Sequence, residues 1–260
     1  MSRINNAFVK DKAFIGFVTG GDPSIRKSED FIMRMIEAGA DLIEIGIPFS
    51  DPIAEGLVIQ RANTRALAAG TTMDKLFALV MRLRRKTDVP LVFLTYINPV
   101  FRYGYDAFFN ECQRTGIDGV IIPDLPFEEQ AEVCEVAYKH GVDIISLIAP
   151  TSEERIDSIA KSARGFIYIV SSMGVTGVRE KITTDLAAMV KRIKRVKNIP
   201  TAVGFGISTP TQAEEIAQLA DGVIVGSAIV KLIELYGENA DDKIFEYVKE
   251  MKEAIKGVTS

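Results

Sequence analysis

Eight short apolar runs recur along the chain, at residues 14–19, 42–46, 91–96, 119–122, 144–148, 166–170, 201–204 and 222–225, and longer stretches of helical character separate them. Those stretches carry apolar residues at helical spacing, such as Phe31, Met35 and Ile36, then Leu76, Leu79, Val80 and Leu83. Strands that alternate with helices pair in parallel through crossover connections. Eight such units within 260 residues imply closure into a barrel. The expected architecture is an α/β fold: one (β/α)8 barrel domain over residues 1–260, with a short N-terminal helix and a short helix after the eighth strand.

Local echoes support the repetition. Residues 84–91 and 194–201 each run from a basic helix end through a turn to a proline just ahead of a strand. The basic run 191–197 therefore reads as a solvated helix end rather than a phosphate or nucleic-acid patch. Gly39, Gly116 and Gly141 each stand as a cap two residues before an aspartate that enters a strand, Asp41, Asp118 and Asp143.

A formal charge of −4 argues against nucleic acid or an anionic membrane as a partner held by bulk electrostatics. The opening residues hold no apolar signal core and no run approaches ~18 apolar residues, so a soluble, cytoplasmic protein is expected. Cys112 and Cys134 fall in helical stretches and read as small buried hydrophobes in a reducing compartment. His140, the single histidine, precedes Gly141 at a helix end, where a cation suits the helix dipole. No spacing of His and Cys suggests a metal site.

The chemistry of such a barrel sits in the loops that follow the strands. In the second strand Ile43 and Ile45 point to one face, while Leu42, Glu44 and Gly46 point to the other. An ionisable group between apolar β-branched neighbours is either satisfied by a nearby Lys or Arg or used in chemistry. The loop beyond adds Asp51 and Glu55. Gly204-Phe205-Gly206-Ile207-Ser208 and Gly226-Ser227-Ala228 follow the seventh and eighth strands, where barrel enzymes hold phosphate on backbone N–H groups and a helix N-terminus. Ordinary βα turns are the alternative reading. The segment 171–179, rich in small residues, has the character of a lid. No lysine ends an assigned strand, as a Schiff base would need. Carboxylate acid–base chemistry on a small phosphorylated substrate is what remains.

At this point the residues resemble a known family. The run Ile43-Glu44-Ile45-Gly46-Ile47-Pro48-Phe49-Ser50-Asp51-Pro52 resembles the signature of tryptophan synthase alpha subunits. The resemblance extends through Phe17-Val18-Thr19, Gly21-Asp22-Pro23, Thr95-Tyr96-Ile97-Asn98-Pro99, Pro123-Asp124-Leu125-Pro126, Gly174-Val175-Thr176-Gly177 and both glycine turns. It implies retro-aldol cleavage of indole-3-glycerol phosphate to indole and glyceraldehyde 3-phosphate. It makes Glu44 the principal acid–base and Glu55 the second acid, which holds the indole N–H. Tyr168 would line the site and Thr176 would pair with the second acid. Gly177, Gly206, Gly226 and Ser227 would cradle phosphate, and Phe17, Leu94, Ile121, Phe205 and Ile224 would wall the indole. The resemblance also implies an alpha2beta2 complex with a pyridoxal-phosphate-dependent beta subunit. Asp51, Pro52, Asn98 and Pro99 would lie on the rim that faces it, and the alpha chain itself would carry no cofactor.

Two departures from the family pattern matter. Where the family usually reads Ala-Asp-Gly-Pro, this chain has Ala54-Glu55-Gly56-Leu57. Glutamate adds a methylene that moves the carboxylate by about an ångström, and misplacement on that scale costs on the order of 10²-fold in rate. Leu57 replaces a φ-restricted residue with a freer and bulkier one. Reduced or partner-dependent activity is the expectation. The alternatives are a stand-alone indole-releasing lyase, a weakened subunit that mainly activates beta, and a phosphate-binding barrel with another substrate.

Overall fold

Aspartates at strand entries tie three pairs of neighbouring strands together. In the computed structural model, which describes residues 3–149, 154–170, 179–204 and 206–258, Asp41 Oδ2 accepts the Phe14 N–H at 2.7 Å and Asp118 Oδ2 accepts the Leu91 N–H at 2.9 Å. Asp221 repeats the device, accepting the Thr201 N–H at 2.7 Å. The glycines ahead of the first two, Gly39 and Gly116, have φ of 105° and 94°, a backbone conformation that favours glycine.

The strands are β1 (Ala13–Thr19), β2 (Leu42–Gly46), β3 (Leu91–Leu94), β4 (Gly119–Ile121), β5 (Asp143–Ile144), β6 (Ser146–Ile148), β7 (Ile167–Val170), β8 (Thr201–Gly204) and β9 (Gly222–Val225). They form a parallel sheet in the order β5-β4-β3-β2-β1-β9-β8-β7-β6. β5 and β6 are halves of one stave. Ile145 alone separates them, and its N–H still bonds Val120 O at 2.9 Å. β4 pairs with the first half and β7 with the second, so the staves close into the (β/α)8 barrel.

Two apolar layers hold the barrel. Ile43, Ile45, Phe93 and Val203 face outward onto helix residues such as Phe31, Leu76, Phe77 and Phe108. Ile15, Leu42, Val92, Ile121, Ala202 and Ile224 face inward, where Ile4 of the short N-terminal helix α1 (Arg3–Asn6) packs with them. A smaller cluster of Phe17, Ile59, Ala62 and Val230 joins β1 to α3 (Leu57–Ala68) and α11 (Ser227–Tyr236). The helix expected to be short after the last strand thus runs 10 residues. β3 stops at Leu94 rather than 96, because Tyr96 leaves the ladder to become the N-cap of α5 (Ile97–Tyr103).

His140 is the C-cap of α7 (Ala131–Lys139), and Gly141 follows it with φ 71°. Its ring nitrogens face Asp106 Oδ1 at 3.0 Å and Gln113 Oε1 at 3.1 Å. Cys112 is buried, Cys134 is half-buried, and both are free thiols. Among the described residues no helix is long and apolar enough to cross a membrane.

Candidate active site

Strand alternation and sheet register carry Glu44 to the barrel interior. It stands opposite Phe17 on one side and Val92 on the other. The side chain is 1% exposed, and its Oε2 has no hydrogen-bond partner. No Lys or Arg among the described residues pairs with it. Burial, and then the charge of Glu55, push its carboxyl up to about 8. The group therefore holds a proton at neutrality while remaining able to release it.

Glu55 sits in the loop between β2 and α3, just before the N-cap residue Gly56. Asn63 Nδ2 donates to Glu55 Oε2 at 2.7 Å, and Gln60 Nε2 donates to the Glu55 carbonyl at 2.8 Å. The Tyr96 hydroxyl accepts the Ala54 N–H at 3.1 Å and also bonds the Glu55 carboxylate. Burial raises the Glu55 carboxyl above its usual range, and the bonds from Asn63 and Tyr96 oppose that rise. Residues on both sides of the loop thus hold the second carboxylate.

Tyr168 reaches in from β7. A Cβ at position 204 would lie 2.4 Å from its hydroxyl, so the glycine at the end of β8 makes room for the ring. Burial, and then the Glu44 charge, raise the Tyr168 hydroxyl well above the ordinary phenol value, so it stays protonated.

These groups surround a cavity of about 470 Å³ at the C-terminal mouth of the barrel. Phe17, Leu94, Tyr168 and Ile224 supply its walls, with Ala54, Val58 and Ile59 from the second loop and α3. Glu44 and Glu55 line it as well, with Gly206, Ser208, Gly226, Ser227, Ala228 and Lys231. Gly206 has φ 79°. Gly226 is the N-cap of α11 and Ser227 its first residue, so the unpaired N–H groups of that helix turn lie at the cavity edge. A second cavity, about 360 Å³, adjoins the first and shares Ala54, Leu94 and Tyr168 with it.

The cavity brings together Phe17, Glu44, Glu55, Leu94, Tyr168, Gly206, Ile224, Gly226 and Ser227 as the sequence suggests. Ile121 is the exception. It is fully buried in the barrel interior beside its register partner Leu94, and it does not line the cavity. Thr176, Gly177 and Phe205 lie outside the described residues, as does all of the 171–179 segment but its last residue. Asp51 and Asn98 are exposed, and Pro52 and Pro99 partly so. Sequence reading gives no role to Asn63, Tyr96 or Lys231. The available signal is spacing on the helices: Lys231 lies one turn beyond Ser227, and Asn63 two turns into the helix that follows Glu55. Among the described residues no three His, Cys, Asp or Glu side chains are placed to hold a metal ion.

The family model for the tryptophan synthase alpha chain matches residues 5–256. The chain is 48% identical over 255 residues to the tryptophan synthase alpha chain of Lacticaseibacillus casei, covering 98% of this chain and 96% of that one. It is 48% identical over 261 residues to that of Lactiplantibacillus plantarum, covering 100% and 98%. Among solved structures it resembles tryptophan synthase subunit alpha from Legionella pneumophila, with a TM-score of 0.89 at 37% identity and 98% of each chain covered. A chain of the tryptophan synthase complex from Pyrococcus furiosus superposes with a TM-score of 0.85 at 36% identity, covering 94% of this chain and 99% of that one.

Proposed function

The chain belongs to the tryptophan synthase alpha chain family, and we propose that it cleaves indole-3-glycerol phosphate to indole and glyceraldehyde 3-phosphate in tryptophan biosynthesis. The observation that carries this reading is the unpartnered carboxyl of Glu44 in a cavity that a helix N-terminus also lines. That combination suits a substrate with an anionic tail and a separate reacting centre.

In the proposed mechanism the protonated Glu44 gives its proton to the ring carbon that bears the side chain. The ring becomes an electron sink, and its nitrogen takes positive charge. Glu55 accepts the ring N–H and stabilises that charge. The Glu44 carboxylate then removes the proton of the side-chain hydroxyl. The carbonyl forms, the carbon–carbon bond breaks, and its electron pair restores the aromatic ring. Glu44 ends protonated, as it began, and the chain's own groups balance every proton. The phosphate rests on Gly206, Gly226 and Ser227. We assign Gly177 to the same cradle, Thr176 to a bond with Glu55, and Phe205 to the ring wall.

The proposed partner is a pyridoxal-phosphate-dependent beta subunit in an alpha2beta2 complex, with the cofactor held by beta. Ile53, Leu57 and Phe101 are 79%, 70% and 68% exposed on or beside the loops that follow β2 and β3. They lie near Asp51, Pro52, Asn98 and Pro99, and apolar side chains on a rim suit burial against another subunit. Leu57 and the lengthened Glu55 also favour a second reading, in which the isolated chain is a weak lyase and its main effect is to activate beta. Co-crystals with indole-propanol phosphate test the site. Density that joins Glu44 to Ser227 is the expected result, and an empty cavity at saturating ligand contradicts it.

A further inference from the structure

Lys231 is the only cation among the described residues that line the Glu44 cavity. It stands four residues after Ser227 on α11, so the two side chains share a helix face. The residue is exposed, and among the described residues its amine makes no close hydrogen bond or ion pair, only a longer-range attraction to Glu234. Its obvious partner is already engaged. Glu234, three residues further on, pairs with both Nε and Nη2 of Arg61, the latter at 3.0 Å, and with Arg65 Nη1 at 3.5 Å. Arg65 in turn grips the buried Asp22 through two bonds of 2.8 and 2.7 Å. Arg61 and then Arg65 hold the Glu234 charge, and Lys231 is the last and smallest influence on it, so among the described residues the Lys231 ammonium group keeps no close partner outside the cavity.

The helix N-terminus alone supplies neutral N–H donors and a partial charge. A phosphate monoester is a dianion, and a full positive charge at the rim complements it. The unpartnered Oε2 of Glu44, on a side chain 1% exposed, independently marks the same cavity as built for a bound molecule. We propose that Lys231 is a substrate-positioning residue that anchors the phosphate of the substrate through its ammonium group, beside the backbone cradle at Gly226 and Ser227. This deepens the lyase reading above and rests on it for the identity of the substrate. Because Lys231 touches the tail rather than the reacting carbon, it acts on binding and not on the chemical step.

The test uses the full chain at low salt. Glycerol 3-phosphate is titrated calorimetrically into the parent, Lys231→Gln and Lys231→Arg. The expected result is a loss of affinity of about 10-fold for Lys231→Gln, with Lys231→Arg near the parent. With the beta subunit present, Lys231→Gln raises KM for indole-3-glycerol phosphate by a similar factor and leaves kcat in place. In the reverse direction, condensation of indole with glyceraldehyde 3-phosphate suffers, and condensation with unphosphorylated glyceraldehyde does not. Equal glycerol 3-phosphate affinity in parent and Lys231→Gln overturns the proposal, as does an equal loss with both aldehydes. Binding that depends on Lys231 in a chain that releases no indole overturns the lyase reading and leaves Lys231 as the phosphate anchor. An active lyase whose KM ignores Lys231→Gln does the reverse.

Discussion

Asn63 Nδ2 lies 2.7 Å from Glu55 Oε2, and Asn63 is itself only 3% exposed. A residue locked inside α3 thus fixes the carboxylate on the loop that leads into that helix. Glu55 is one methylene longer than the aspartate of the family pattern, and the bond to Asn63 sets where the longer side chain ends. Asn63→Ala should therefore lower kcat/KM for indole-3-glycerol phosphate by about 10-fold, and loss of a buried donor to the carboxylate should cost about 1–3 kcal/mol in stability. Steady-state kinetics with the beta subunit present check this. An unchanged rate means that Tyr96 alone holds the carboxylate.

Leu57 occupies the first turn of α3, directly after the N-cap residue Gly56. Gly56 has φ −75° and ψ 164°, the extended conformation that a following proline requires. Proline at the first helical position needs no N–H partner and restricts the unfolded chain. Leu57→Pro should stabilise the protein by roughly 0.5–1 kcal/mol in urea unfolding. Combined with Glu55→Asp, it should raise indole release by the isolated chain, up to the order of 10²-fold. If the double variant matches the parent, the two departures do not limit activity.

Glu44 leaves a signature in stability against pH. In the unfolded chain its carboxyl ionises near 4.5, and in the folded chain at about 8. Between those values the folded state keeps a proton that the unfolded state has released, so stability falls as pH rises through the window. Glu44→Gln has no proton to lose there. Its stability relative to the parent should improve by roughly 2–5 kcal/mol on going from about pH 5 to about pH 8. Denaturant unfolding across that range measures the difference, and parallel curves for the two proteins contradict it.

The side chain of Asp22 is fully buried against Arg65. Arg65→Ala strands that carboxylate and should cost about 3–5 kcal/mol in unfolding free energy. Asp22→Asn in the same background should recover much of the loss. A loss below about 1 kcal/mol for the single variant would show that the pair behaves as a surface ion pair.

The barrel was legible because each stave announces itself locally. The limits expected for 42–46, 201–204 and 222–225 coincide with β2, β8 and β9. The break at Ile145 was not legible, since it arises from the change of pairing partner between β4 and β7. Alternation showed that Glu44 and Ile43 face opposite ways, but which face is the interior depends on closure of the whole sheet. Ile121 shows the limit of that reasoning: its face is inward as expected, yet it belongs to an inner cluster against which Leu94 and Tyr168 pack, and those two, not Ile121, line the cavity. Asn63, Tyr96 and Lys231 acquire their places only when α3, α5 and α11 are packed around the mouth.

Indole release from indole-3-glycerol phosphate by the parent and by Glu44→Gln, each with and without the beta subunit, bears most directly on the central claim. The amide can neither give nor take the proton, so the variant should lose at least about 10²-fold in kcat, while glycerol 3-phosphate still binds it as tightly as the parent. Turnover by Glu44→Gln at the parent's rate would contradict the mechanism.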